Sequence, residues 1–135
     1  MTATSATTAP ASTRDALLRF ALRLDAIVSG IVGIVGIAMA PRIAEMSGTT
    51  ATLEYSIGAF FIAYGVAVLG LSLRESVRTA GLVIAVGNAV FTVAAIAVVL
   101  AGVWPLTTVG IVLTLGSGVF TLVMADLQYL GLRKL

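Results

Sequence analysis

Neither cysteine nor histidine occurs anywhere in the chain. Disulfides, thiol chemistry, histidine-ligated haem and the usual zinc and copper ligand sets are thereby excluded. Charge is scarce as well. Asp, Glu, Lys and Arg make up 10% of the residues, against about 25% in soluble domains. There is no glycine-rich phosphate loop, no convergent pair of carboxylates, and no base in the pattern near Ser29, Ser72 or Ser117. The inventory therefore reads as a non-enzyme, with no cofactor and no metal site. The net charge of +2 does not indicate nucleic acid, because the basic residues sit beside the ends of apolar runs, where they act as topology signals and lipid contacts.

What fills the chain instead is apolar sequence, 59% of the residues. Ala26–Ala40, Tyr55–Leu73, Thr79–Leu100 and Thr107–Ala125 carry no charge. A hydrocarbon core about 30 Å thick is crossed by about 20 apolar residues in a helix, so each run is close to one span. The runs are apolar on every face, unlike the alternating strands of a membrane barrel. The fold class expected is all-α: a transmembrane, antiparallel four-helix bundle with spans near 17–40, 54–73, 79–101 and 107–130. Residues 1–13, rich in Thr, Ala and Ser, have no apolar periodicity and read as a disordered tail before a membrane domain over 14–135.

Helix one is expected to begin near Thr13 or Arg14, with Thr13 as cap and Asp15 in the first turn, and to stop by Pro41. Pro41–Leu53 is the longest connection; Ile43, Ala44 and Met46 suit an interfacial dip, and Thr52 suits a cap for helix two, with Glu54 at its dipole-favoured end. The charged link Arg74–Arg78 joins helices two and three tightly, and Trp104–Pro105 divides three from four. Arg14, Arg19, Arg23, Arg74, Arg78, Arg133 and Lys134 fall on one side against Arg42 alone. The positive-inside rule then places both termini in the cytoplasm of a bacterial plasma (inner) membrane. A cleaved signal peptide, mimicked by Ala38-Met39-Ala40, is the rival reading; Pro41 directly after the cleavage position disfavours it.

Three groups of residues stand out within the spans. Tyr64 and Asn88 each lie nine positions in from the link edges Leu73 and Thr79, about 13–14 Å at 1.5 Å per residue. They read as an interhelical polar pair, or alternatively as a polar point in a cavity. Arg19, Arg23, Asp25 and Asp126 gather at the cytoplasmic edge and read as an ionic clamp in which Asp126 meets Arg19 or Arg23. Small residues at four-residue spacing, above all Gly110, Thr114 and Gly118, read as a helix-packing face, either within the bundle or toward a partner.

Ala21–Gly30 (ALRLDAIVSG), Pro41–Gly48, Asn88, Thr107–Gly110 (TTVG) and Asp126–Arg133 (DLQYLGLR) together resemble a group of small four-span bacterial integral membrane proteins of high-GC, actinobacterial-type genomes. Phe91 stands where that group carries an aromatic soon after the helix-three Asn. The resemblance runs from about Ala21 to the last residue. It implies the four-helix membrane architecture and brings no established activity. Small multidrug transporters share the span count but place a carboxylate well inside helix one, whereas Asp25 reads as lying at its edge.

The function expected on these grounds is an accessory or interaction subunit of a membrane complex. Its partners are the lipid bilayer and another membrane protein or a second copy of the chain. The alternative is an oligomeric transporter of a small molecule or lipid, with a polar cavity at the midplane around Tyr64 and Asn88. A sensor of membrane state using Pro41–Leu53 is a third reading.

Overall fold

The computed structural model describes residues 11–135. The tail expected over 1–13 lies outside the described residues up to residue 10, and Ala11–Arg14 forms a single helical turn. Among the described residues five helices follow it: α1 (Ala16–Ala38), α2 (Ala40–Ser47), α3 (Ala51–Ser72), α4 (Arg78–Ala101) and α5 (Thr108–Arg133). Helices α1, α3, α4 and α5 are each long and apolar enough to cross a membrane. Their outward faces carry Ile34, Val66, Val83, Leu100 and Val112, all well exposed, a surface that suits hydrocarbon rather than water.

The connection after α1 is more ordered than its sequence suggests. Pro41 does not end helical structure there. With its fixed φ and missing N–H it sits at the start of α2, where neither feature has a cost. Gly48 closes α2 in the left-handed region at φ 80°, a conformation that only glycine adopts freely. Thr50, not Thr52, caps α3, accepting from the Leu53 backbone N–H at 3.2 Å. Thr107 caps α5 through the Gly110 N–H at 3.1 Å. The Thr107 backbone N–H also donates to the Ser47 carbonyl at 3.0 Å, tying the end of α2 to the start of α5. Asp15 rather than Thr13 precedes α1, and its carboxylate bonds Arg19 instead of the helix N-terminus.

Packing between the long helices relies on glycine. A Cβ on Gly65 would stand 2.7 Å from the Ala26 carbonyl, and one on Gly33 2.9 Å from the backbone N of Ile62, so α1 and α3 approach backbone to backbone. Without a hydrophobic drive between helices in lipid, such close approach is what holds them. Gly81 of α4 and Gly131 of α5 make room in the same way for Leu18, which lies fully buried with Leu22, Ala26, Val68 and Val77 in the core. Helix α1 thus lies between α3 and α5, and α5 carries α4. Helix α4 barely touches α1 or α3, which leaves a gap on that side.

Candidate functional site

Asp25 is fully buried at the tenth residue of α1. Side chains from all four long helices converge on it. Its Oδ2 accepts from the Tyr64 hydroxyl at 2.7 Å, from Asn88 Nδ2 at 2.8 Å and from Gln128 Nε2 at 3.0 Å. Its Oδ1 accepts from Ser29 Oγ at 3.2 Å, one turn along the same helix. Asn88 Nδ2 donates in addition to Gln128 Oε1 at 3.0 Å, so the two amides are joined to each other as well as to the carboxylate. A carboxylate is an acceptor only, and donors from several directions are what it needs when no water is present.

This arrangement corrects the expected ionic clamp. Asp25 lies inside α1, not at its edge, and no arginine touches it. Arg19 pairs with Asp15 at 3.1 Å, the one side-chain ion pair among the described residues. Its guanidinium also reaches past the end of α3, donating to the Ser72 carbonyl at 2.8 Å, the Glu75 carbonyl at 2.6 Å and the Arg74 carbonyl. Arg23 donates to Ser72 as well, at 3.5 Å. The physical reason is that the last turn of a helix leaves carbonyls unpaired, and two arginines within reach satisfy them better than a distant carboxylate would be satisfied. Asp126 meets neither arginine; it is exposed on a shallow groove beside Leu82, Ala85, Ala89 and Tyr129.

Tyr64 and Asn88 are brought together, but through Asp25 rather than by a bond to each other. Gln128 and Ser29 join the site without standing out in the sequence. The available signal was periodicity: Ala21, Asp25 and Ser29 lie four apart, all on the buried face of α1, and Gln128 falls on the face of α5 that carries Met124 and Gly131. The Gly110, Thr114 and Gly118 stripe is used within the chain. Gly110 meets the Ser47 carbonyl of α2, and Gly118 faces Ala95 of α4. Thr114 bonds the Gly110 carbonyl at 2.7 Å. Close by, Thr92 Oγ1 of α4 bonds the Gly118 carbonyl at 2.9 Å and Thr121 Oγ1 at 2.7 Å, fastening α4 to α5.

The gap beside α4 is a half-open chamber of about 690 Å³, not at Tyr64 and Asn88 but further along the bundle. Phe61 and Phe91, with ring centroids 6.0 Å apart, bridge α3 and α4 and line the chamber. Each is three residues from Tyr64 or Asn88, so the polar node lies about one helical turn beyond them. At the other end the lining includes Trp104, Ser47, Thr49 and Glu54. Glu54 is the one charged residue of the lining, and its carboxylate accepts from Thr49 Oγ1. Ser47 is 3% exposed and its Oγ has no hydrogen-bond partner. The size falls within the range of about 300–1,000 Å³ usual for small-molecule pockets, and an apolar, aromatic wall with few polar groups is their usual chemistry. Among the described residues no three His, Cys, Asp or Glu side chains come together to hold a metal ion. No family model matches the chain, and neither a curated protein nor a solved structure matches it.

Proposed function

We propose that this protein is a membrane-embedded binder of a lipophilic small molecule or lipid, taken up in the chamber between α3 and α4. The observation that carries this reading is the chamber itself: α3 and α4 held apart over an aromatic-lined space, while α1 and α3 pack backbone to backbone. The accessory-subunit reading calls on no particular feature of the fold, so the chamber favours the small-molecule alternative. Full transport would require a path past Phe61, Phe91 and the Asp25 node. Binding from one side of the membrane requires no such opening.

In the same proposal the four long helices form an antiparallel bundle with both termini in the bacterial cytoplasm. Pairing of Ala26 with Gly65 and of Gly33 with Gly58 supports opposed directions for α1 and α3. Arg19, Arg23 and Arg74 gather at one end of that pair, where a cytoplasmic surface would hold them. The chamber then belongs to the outer half of the bilayer.

Trp104 is the sole tryptophan and lines the chamber, which provides the test. With the protein in phosphatidylcholine nanodiscs, dodecanol should shift Trp104 emission saturably. Ala94→Phe, which places a ring into the chamber from an exposed position on α4, should abolish the saturable shift while leaving the fold intact by circular dichroism. A wild-type protein without a saturable response, or an Ala94→Phe variant with an unchanged one, overturns the reading.

A further inference from the structure

We infer that α1 of one copy of this chain docks into the α4–α5 groove of a second copy, with Arg23 of the first paired to Asp126 of the second. The inference rests on the antiparallel arrangement proposed above and is independent of the chamber. Two charges of opposite sign carry it. Asp126 is exposed and makes no ion pair among the described residues, although it precedes the end of α5 at Arg133 by seven residues, about 10 Å of helix. Arg23 is exposed on the lipid-facing side of α1, and its one hydrogen bond, to the Ser72 carbonyl, is long at 3.5 Å. Ionisable groups within a span are ordinarily paired, and an aspartate is too short to reach water as arginine and lysine do.

The two charges share a depth. A Cβ on Gly131 would stand 2.7 Å from Leu18 Cα, which sets α1 level with α5 there. With the helices opposed, Arg23 lies five residues on from Leu18 and Asp126 five back from Gly131, each about 7.5 Å away at 1.5 Å per residue. They do not meet within one chain because they face apart: Arg23 leans toward α3, while Asp126 lines a groove against α4. Two copies side by side in one membrane bring them together. Shape agrees with charge. Ala85, Ala89 and Ala125 leave the groove hollow, and Phe20 and Ile27, about one turn to either side of Arg23, are large and exposed. A lipid phosphate would answer Arg23 but repel Asp126, whereas a second copy answers both. Because the two surfaces differ, the contact is head-to-tail.

The absence of cysteine makes the contact testable by disulfide cross-linking of the full chain in phosphatidylcholine liposomes. Ile27 and Leu122 each lie four residues beyond their charge, toward the same side. A chain carrying Ile27→Cys and Leu122→Cys should oxidise to a ladder of oligomers on a denaturing gel. Either cysteine alone should give no dimer. Asp126→Asn should cut the ladder about tenfold, as loss of one hydrogen-bonded charge does, and the exchange Arg23→Asp with Asp126→Arg should restore it; circular dichroism verifies the fold of each. A ladder undiminished by Asp126→Asn, or an exchanged chain that folds and stays monomeric, overturns the ion pair. A dimer from Ile27→Cys alone overturns the head-to-tail arrangement. Ile27→Cys linking to Tyr129→Cys in place of Leu122→Cys overturns the shared depth, and with it the opposed helices. Monomer under every pairing overturns the second copy.

Discussion

One oxygen atom, Asp25 Oδ2, takes hydrogen bonds from α3, α4 and α5 at once. The energetics of the site follow from that sharing. Asp25→Ala takes the carboxylate acceptor from four donors, those of Tyr64, Asn88, Gln128 and Ser29, and a buried donor left unpaired costs about 1–3 kcal/mol. Asp25→Asn keeps an oxygen for the first three and turns its amide N–H toward Ser29 Oγ, so it should cost clearly less than the alanine. Tyr64→Phe removes one bond of several and should cost about 0.6–2 kcal/mol, the range measured for interhelical hydrogen bonds in membranes. Unfolding midpoints in dodecyl sulfate titrations give the order; an Asp25→Ala protein as stable as Tyr64→Phe would rule out the node. At this scale the sequence was legible only in part. Tyr64 and Asn88 were visible because a phenol and an amide stand out in long apolar runs. Asp25 reads from sequence as an edge residue because Arg19 and Arg23 precede it in a charged cluster. Helix α1 in fact begins at Ala16, so Asp25 lies about 13–14 Å along it at 1.5 Å per residue.

At the level of the helices, glycines divide sharply by what they face. A methyl on Gly65 would meet the Ala26 carbonyl at 2.7 Å and Gly30 Cα at 3.1 Å, while Gly87 has nothing within 4 Å. Gly65→Ala should therefore push α3 away from α1 and lower stability by about 1–3 kcal/mol, as overpacking does elsewhere. Gly87→Ala should be neutral or slightly stabilising, since alanine is the better helix former. The same dodecyl sulfate titration checks both, and equal effects would mean that backbone approach is not what joins α1 to α3. The long helices themselves were readable from the length of each apolar run. Helix α2 was not, because it is only eight residues long, carries Arg42 and Glu45, and has near its start a proline that reads more naturally as a stop. What stabilises α2 is tertiary: the Ser47–Thr107 bond and the seat of Gly110 beneath its last carbonyl, neither of which local propensity encodes.

For the molecule as a whole, the absence of cysteine makes orientation directly measurable. A single cysteine at Ser76, in the link between α3 and α4, should react with a membrane-impermeant maleimide only after the cytoplasmic face is opened. One at Gly102, beyond α4, should react in intact cells. Reversed labelling would invert the proposed topology and move the chamber to the inner leaflet. The charge asymmetry behind this expectation was plain in the sequence. The chamber was not, because it arises from what α4 fails to touch, and a contact that is missing leaves no pattern in the residues. The Asp25 node, finally, has a bearing on how the protein is made. Asp25 and Gln128 are separated by 103 positions in the chain, so the carboxylate of the first span gathers its donors in stages, Tyr64 with α3 and Asn88 with α4, and completes the set only when the last span arrives. Completion of the polypeptide is in this way registered by its first helix: a chain cut short before α5 lacks the Gln128 amide, which bonds both Asp25 and Asn88, and so leaves the shared acceptor one donor short.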